Sequence, residues 1–275
     1  KADDELISQL KKSYDIFKAF NIPIYSKEGF EADDMIGTIV EQVEKKSRRS
    51  GRDSDKNVGE DLDIVIASGD MDTLQLVEGD KIRVYTLKKG IKDTIIYDEK
   101  AVNARYGFGP KLLPDYKGLR GDPSDNIIGI KGIGEKTASD LIQKFGSIED
   151  IYKTLKKDRK LFEKAGIKER IIGLLVEGEE EAMFSKMLGT IRKDAPIDFQ
   201  IPDKTWKEDI DVEKITGVWS DLEFRTLGAR LKEILNGKLK VENYKNEINI
   251  KKDSSAMAEL GTGLFTNEKD SQKIR

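Results

Sequence analysis

The chain has 275 residues, of which 37% are charged, and its formal net charge is −3. It contains neither histidine nor cysteine, which excludes an imidazole base, a thiolate nucleophile and every nitrogen or sulfur ligand for zinc. No apolar run approaches the roughly 20 residues of a membrane span, and no signal peptide is visible, so we expect a soluble, cytoplasmic protein.

The first half of the sequence predicts helices that alternate with strands. Apolar residues recur at helical spacing from Asp3 to Phe20 and again from Glu31 to about Glu44. Short β-branched or aromatic runs predict strands at Ile22–Tyr25, Asp63–Ala67, Ile82–Tyr85 and Thr94–Tyr97. The polar segment from Lys45 to Asp61 is typical of a loop. This order favours an α/β core with a mostly parallel sheet.

The spacing of apolar residues also predicts that the second half of the sequence is helical. Helices are predicted at Glu99–Tyr106, Pro110–Lys117, Glu135–Phe145, Ile148–Leu155, Glu169–Leu175, Glu181–Leu188 and Asp221–Leu235. After Asn236 the chain turns polar, which is typical of a linker or tail. We therefore expect an α/β core at residues 1–112, a helical subdomain at 113–237 and a linker toward a following domain at 238–275.

Acidic residues occur in three groups, each at the end of a predicted element. The groups are Glu31, Asp33 and Asp34; Asp70 and Asp72; and Asp122 and Asp125. Each group alone has a simple structural explanation, as a first helical turn, as a cap of the short helix Thr73–Val77, or as a turn. Together they favour a metal site, because close carboxylates repel one another unless a cation neutralises them. Oxygen ligands select Mg²⁺, Mn²⁺ or Ca²⁺.

A glycine-rich hairpin follows the third acidic group directly. Gly129, Gly132 and Gly134 precede a helix that starts at Glu135, and a helix N-terminus after such a turn presents free N–H groups that suit a phosphate. An ordinary loop is the alternative. The candidate phosphate-contacting residues are Lys117, Arg120, Gly129, Lys131, Gly132, Gly134, Lys136 and Thr137. Contacts to phosphates carry no base information, so we expect binding to be independent of sequence.

Three motifs carry a specific resemblance. They are GFEADDMIGTIV at residues 29–40, SGDMDTLQLV at 68–77 and YKGLRGDPSDNIIGIKGIGEKTA at 116–138, with weaker similarity in SKMLGTIRKDAPIDF at 185–199 and DLEFRTL at 221–227. In this order they resemble the 5′ nuclease family, and within it the 5′-3′ exonuclease domain of bacterial DNA polymerase I, a relative of the flap endonucleases. The resemblance covers about residues 3–235.

The resemblance implies a PIN-like core and a helix-hairpin-helix variant that grips duplex DNA. It implies a structure-specific 5′-3′ exonuclease or 5′-flap endonuclease of DNA replication and repair, which hydrolyses phosphodiesters with two Mg²⁺ ions, replaceable by Mn²⁺, and without a protein base. The matching metal ligands are Glu31, Asp33, Asp34, Asp70, Asp72, Asp122 and Asp125, of which Asp34, Asp70 and Asp72 are the catalytic candidates. A monovalent cation such as K⁺ is implied at the hairpin. The implied substrate is nicked, flapped or branched duplex, bound by a monomer near the nucleoid.

The sequence also departs from the family. The family begins with a strand that carries a further metal-ligating Asp and with a basic helical arch, and neither is found before Lys1. We therefore expect a fragment of a DNA polymerase I chain that binds branched or nicked duplex but cleaves it poorly alone. A catalytically incomplete DNA-binding module and a PIN-type ribonuclease remain alternatives. The basic segment Lys45–Asp61 is more typical of a solvated loop than of a DNA contact.

Overall fold

The computed structural model describes residues 3–50, 62–88 and 93–236. By their contacts, these residues form two units, residues 27–199 and residues 3–26 with 200–236. The helices are α1 Asp4–Ala19, α2 Ala32–Ser50, α3 Glu99–Tyr106, α4 Leu113–Arg120, α5 Glu135–Phe145, α6 Ile148–Lys157, α7 Lys160–Lys164, α8 Glu169–Glu177, α9 Glu179–Leu188, α10 Trp206–Asp209, α11 Val212–Asp221 and α12 Leu227–Leu235. The strands are β1 Ile64–Ala67, β2 Ile82–Leu87 and β3 Thr94–Tyr97, and short 3₁₀ helices span Met71–Leu76, Pro110–Leu112 and Pro123–Asp125. Within these described ranges, no helix combines the length and apolar character that a membrane span requires.

The sheet has the order β1-β2-β3 and is mixed. β1 pairs in parallel with β2, with Ile64 opposite Ile82, whereas β2 pairs antiparallel with β3, with Leu87 opposite Thr94. The connection between β2 and β3 is too short for the crossover that a parallel pair needs, so a hairpin forms instead. The α/β class predicted from the sequence is confirmed.

The unit of residues 27–199 has one continuous hydrophobic core. Ile66 and Val84 from the sheet, Leu74 from the 3₁₀ helix, and Leu119 and Leu141 from the helices are all buried in it. Side chains at the helix ends fix where the helices begin. The carboxylate of Asp98 accepts a hydrogen bond from the N–H of Ala101 at the start of α3, and the Ser147 hydroxyl accepts one from Asp150 at the start of α6.

The second unit, residues 3–26 with 200–236, has a small core of its own. Ala19, Ile215, Trp219 and Leu231 are buried there. The ring of Phe20 stacks on Trp206, with centroids 6.1 Å apart, and the indole N–H of Trp206 donates to the Phe20 carbonyl at 3.2 Å.

Three predicted elements differ most from the structure. The segment Ile22–Tyr25 is not a strand, since no described strand pairs with it and an unpaired strand has no stable hydrogen-bonding partner. The loop predicted from Lys45 is wrong as far as Ser50, because α2 continues through residues of good helix propensity and through the ion pair Lys45–Glu41. Residues 51–61 of that loop lie outside the described residues, as does the predicted linker at 238–275.

The third difference concerns the helix predicted from Asp221 to Leu235. The structure divides it, because α11 ends at Asp221 and α12 begins only at Leu227. Between them Glu223 has a φ of 58°, a left-handed conformation that a continuous helix cannot contain. The expected domain boundaries at residues 112 and 237 stay a prediction.

Candidate active site

Three carboxylates converge on one lysine. Asp72, Asp122 and Asp125 each offer one oxygen, and these oxygens lie within 4.8 Å of one another. The Lys117 ammonium lies among them: it donates to Asp72, lies 2.7 Å from Asp122 Oδ2 and lies 3.2 Å from Asp125 Oδ2. The Lys117 side chain is only 14% exposed. Two segments far apart in sequence are thereby joined through charged groups.

Local backbone structure positions these acids. Asp70 caps the 3₁₀ helix after β1, where its Oδ1 accepts from the N–H of Asp72 at 2.9 Å. Asp122 caps the 3₁₀ helix Pro123–Asp125, and its Oδ1 accepts from the backbone N–H and hydroxyl of Ser124 at 3.1 and 2.6 Å. Capping and turn formation, the simple explanations for these residues, are therefore real. These hydrogen bonds use only Oδ1 of Asp70 and of Asp122, so the second oxygen of each carboxylate can bind another partner.

Burial and Lys117 act in opposite directions on the cluster. Burial raises the pKa of Asp72, although the Lys117 ammonium counters it. For Asp122, burial is outweighed by hydrogen bonds from Lys117 and Ser124, which hold its pKa below the usual value. For Lys117, the bonds to Asp122 and Asp72 outweigh burial and raise its pKa. Lys117 is thus firmly held as an ammonium ion.

Four of the predicted acids act on Asp33. Burial and the charges of Asp70, Asp72, Glu31 and Asp34 raise the pKa of Asp33 to about 6. The structure therefore brings the first and second acidic groups close enough to repel. It does not place Glu31, Asp33, Asp34 or Asp70 in the convergent cluster. Both Asp34 oxygens accept backbone hydrogen bonds, Oδ2 from Glu31 at 3.1 Å and Oδ1 from Arg192 at 2.9 Å.

The donor set suits a hard divalent cation. Asp72, Asp122 and Asp125 supply only carboxylate oxygens, which are the ligands that Mg²⁺ and Mn²⁺ prefer in proteins. The excess of negative charge around Asp33 adds to the attraction for a cation.

The predicted hairpin is tied directly to the acids. Asp122 and Ile127 exchange two backbone hydrogen bonds, both 2.8 Å, and the Ile130 N–H donates to the Leu119 carbonyl at 2.9 Å. Gly121 and Gly129 cross at close range: a Cβ on Gly129 would lie 2.6 Å from Gly121 Cα. Only glycine permits this approach, and Gly129 also has a φ of 62°.

The candidate DNA-binding residues fall into two sets. Lys131, Gly132, Gly134 and Lys136 are exposed, at the start of α5, where no side chain caps the helix. Gly129 is buried, and Thr137 is partly exposed. Arg120 forms an ion pair with Glu135 at 2.7 Å and stacks on the Tyr116 ring at 5.3 Å. Lys117 points into the acids.

Sequence reasoning missed a segment without helix or strand, residues 192–199, that is hydrogen-bonded along α2. Four α2 side chains spaced by four residues bind its backbone: Asp34 to the Arg192 N–H, Thr38 to the Ala195 N–H, Gln42 to both Ile197 and Phe199, and Lys46 to the Phe199 carbonyl. The only signal in the sequence was this polar row at four-residue spacing. We call residues 192–199 the strap. Its Arg192 guanidinium lies 4.2 Å from the centroid of the Phe30 ring.

Two family models match this chain. Residues 1–107 match the family model of the 5′-3′ exonuclease N-terminal resolvase-like domain, and residues 108–211 match that of the 5′-3′ exonuclease C-terminal SAM fold. DNA polymerase I of Caldicellulosiruptor bescii is 39% identical over 231 residues, which cover 83% of this chain and 24% of the relative. DNA polymerase I of Bacillus caldotenax is 34% identical over 222 residues, covering 81% of this chain and 23% of the relative. The chain thus spans about a quarter of the length of these relatives.

A solved structure supports the fold. The complex of bacteriophage T5 flap endonuclease with DNA and metal ions superposes with a TM-score of 0.52 at 23% identity, covering 68% of this chain and 58% of that chain. The resemblance seen in the sequence is confirmed. The chain belongs to the 5′-3′ exonuclease family.

Proposed function

We propose that the chain is a metal-dependent 5′-3′ exonuclease or 5′-flap endonuclease domain that hydrolyses DNA phosphodiesters. One observation carries the proposal: the convergent acids and the glycine hairpin are one continuous piece of backbone, joined by the Asp122–Ile127 pair. Acids that hold cations and a hairpin that holds phosphates are thereby fixed side by side. Family membership disfavours the alternative of a DNA-binding module without turnover.

The residues divide into two roles. Asp72, Asp122 and Asp125 would hold one divalent cation, and Glu31, Asp33, Asp34 and Asp70 would serve a second. Cations bound there would supply water activation and stabilisation of the charge on the scissile phosphate. Asp34 orients the start of α2 through its two backbone hydrogen bonds, so its contribution includes positioning the neighbouring Asp33.

The hairpin would hold the backbone of the duplex. Its N–H groups at the start of α5 face solvent without a side-chain cap, and the exposed Lys131 and Lys136 add positive charge. Such contacts would bind nicked, flapped or branched DNA without regard to base sequence.

The finer assignments follow from the same family. We propose Mg²⁺ as the working ion with Mn²⁺ as a substitute, and a monovalent cation such as K⁺ at the backbone oxygens of the hairpin. The DNA polymerase I relatives support a covalently linked polymerase domain. We further propose a monomer that acts on DNA in the bacterial nucleoid during replication and repair.

The test is a double substitution, Asp70→Ala with Asp72→Ala, in the full-length protein. Cleavage of a 5′-flap substrate in Mg²⁺ should be lost, whereas binding of the same substrate in EDTA should change less than about threefold, because these acids serve cations and not DNA. Asp80→Ala with Asp93→Ala removes two exposed acids outside the cluster and should retain cleavage. Undiminished cleavage by the first variant would remove Asp70 and Asp72 from the site.

A further inference from the structure

Lys117 lies where a cation would be bound by the same acids. Its ammonium donates to Asp72, lies 2.7 Å from Asp122 Oδ2 and lies 3.2 Å from Asp125 Oδ2. These are the three carboxylates whose oxygens lie within 4.8 Å of one another. In the described ranges, no other three acidic side chains bring their oxygens this close together.

Ammonium and divalent cation compete for one volume. Mg²⁺ and Ca²⁺ lie roughly 2.0–2.6 Å from their oxygen ligands, so an ion bound to these oxygens would overlap the ammonium. Two cations at that separation would also repel strongly, because the side chain of Lys117 is mostly shielded from water.

We propose that Lys117 is a built-in competitor at this site: a divalent cation binds Asp72, Asp122 and Asp125 only as the Lys117 ammonium moves out from among them. This inference rests on the proposed function. Lys117 remains charged throughout, so the exchange replaces one cation by another and involves no proton transfer.

The chemistry of lysine suits such an exchange. An ammonium is a compact charge on a flexible four-carbon stem, which can swing out from its fixed point on α4 without moving the helix. While it lies among the acids, it reduces the repulsion of three carboxylates on two separate segments. Once displaced, it is available to the phosphate backbone of the substrate, so cation binding and DNA binding would favour each other.

The first measurement is Mg²⁺ and Mn²⁺ binding to the 275-residue chain by titration calorimetry. Lys117→Met should lower the dissociation constant about tenfold, because the ion no longer displaces a competitor. Lys117→Gln serves as a second variant if the first does not fold. Lys193→Met removes the same charge from an exposed lysine whose nearest acid, Glu41, is 3.9 Å away, and it should leave the constant within about twofold.

The second measurement follows the displacement itself. Acetylation of lysines by a limiting reagent is quantified for each residue by mass spectrometry, with and without Mg²⁺. Lys117 should become several-fold more reactive in Mg²⁺. Lys186 is an internal control, since its ammonium is held by Asp115 and Glu149 at 2.6 and 2.7 Å, away from the cluster, and its reactivity should not change.

The outcomes separate the two ideas. Equal affinities for the original chain and both Lys117 variants, or unchanged Lys117 acetylation in Mg²⁺, would overturn the inference and leave the proposed function standing. If neither the original chain nor any variant binds a divalent cation, the proposed function itself fails.

Discussion

The carboxylate of Asp34 connects the start of α2 to the backbone of Arg192, whose N–H lies 2.9 Å from Asp34 Oδ1. The residues are 158 positions apart in the chain. The bond is the first in the row that fastens the strap along α2 and ends at Lys46. An acid expected to bind a metal ion thus also anchors a long-range contact, and its two hydrogen bonds orient its carboxylate.

The middle of the strap depends on Gln42. Its amide donates to the Ile197 carbonyl at 2.7 Å and accepts from the Phe199 N–H at 2.8 Å. Gln42→Ala should destabilise the protein by about 2 kcal/mol, because two partly buried backbone groups lose their partners. Urea denaturation at constant m value measures this change. Glu41→Ala removes two surface ion pairs, with Lys45 at 3.1 Å and with Lys193 at 3.9 Å, but no hydrogen bond to the strap backbone, and should cost less than about 0.5 kcal/mol. Equal costs for the two variants would show that the strap does not depend on this row.

The crossing of Gly121 and Gly129 predicts a sharp difference between two glycines of the hairpin. Gly129→Ala should cost about 3 kcal/mol or more, because its Cβ would lie 2.6 Å from Gly121 Cα and its φ is 62°. Gly134→Ala should cost less than about 1 kcal/mol, since no atom lies within 4 Å of the added Cβ and its φ is −97°. Thermal unfolding of both variants decides the matter, and a mild effect at Gly129 would contradict the close crossing.

The raised pKa of Asp33 predicts that replacing this residue by Asn stabilises the protein in a pH-dependent way. Its pKa is raised from 3.8 to about 6 in the folded protein, so above pH 6 the charged carboxylate of Asp33 destabilises the folded state. The stabilising effect of its proton is complete below about pH 4 and is lost as the pH rises through 6. Asp33→Asn should therefore stabilise EDTA-treated protein above pH 6 by about 1 kcal/mol, a value reduced because solvent screens this half-buried group.

The measurement for Asp33 is the unfolding midpoint in EDTA across pH 4 to 8. The gain should shrink below pH 6 and vanish near pH 4. Asp80→Asn, at an exposed position outside the acid cluster, should give no comparable gain. A gain at Asp33 that is the same at pH 4 and pH 8 would argue against charge repulsion as its cause.

The hairpin lysines predict a change in the salt dependence of DNA binding. Lys131→Ala with Lys136→Ala should weaken binding of all sequences alike and reduce the slope of log affinity against log salt by about one to two units. Binding of nicked duplex is measured in EDTA so that no cleavage intervenes. Lys153→Ala with Lys157→Ala makes the same charge change on exposed positions of α6. A similar reduction of the slope in this control would show that the hairpin lysines contribute no more to DNA binding than other exposed lysines do.

Local sequence patterns predicted much of the fold. The apolar spacing and the flanking residues of Glu99–Tyr106 and Glu135–Phe145 gave those helices with their observed ends. Ile22–Tyr25 had the composition of a strand, but strand formation depends on a distant partner that composition does not specify. The end of α2 was missed because apolar periodicity stops near Glu44 while helix propensity does not.

In the candidate site, too, some features were predictable from the sequence and others were not. The sequence predicted that the three acidic groups would approach one another. In the structure the charges of Asp70 and Asp72, from the second group, raise the pKa of Asp33 in the first group. The place of Lys117 was not predictable, because spacing along the chain does not reveal which way a lysine on α4 points. The sequence suggested a phosphate contact for Lys117, whereas the structure places its ammonium among carboxylates. Whether it reaches DNA stays a prediction.

The short backbone pairing between Asp122 and Ile127 has a consequence for where such an enzyme would cut. Its two 2.8 Å hydrogen bonds hold the turn that carries Asp122 and Asp125 against the backbone that leads into the hairpin. A strand gripped at the hairpin would then be cut a set number of nucleotides away, whatever its bases. The position of the cut would then depend on its distance from the nick or branch in the DNA and not on the bases. A nuclease that removes strands of every sequence and stops at the same point on each needs this property.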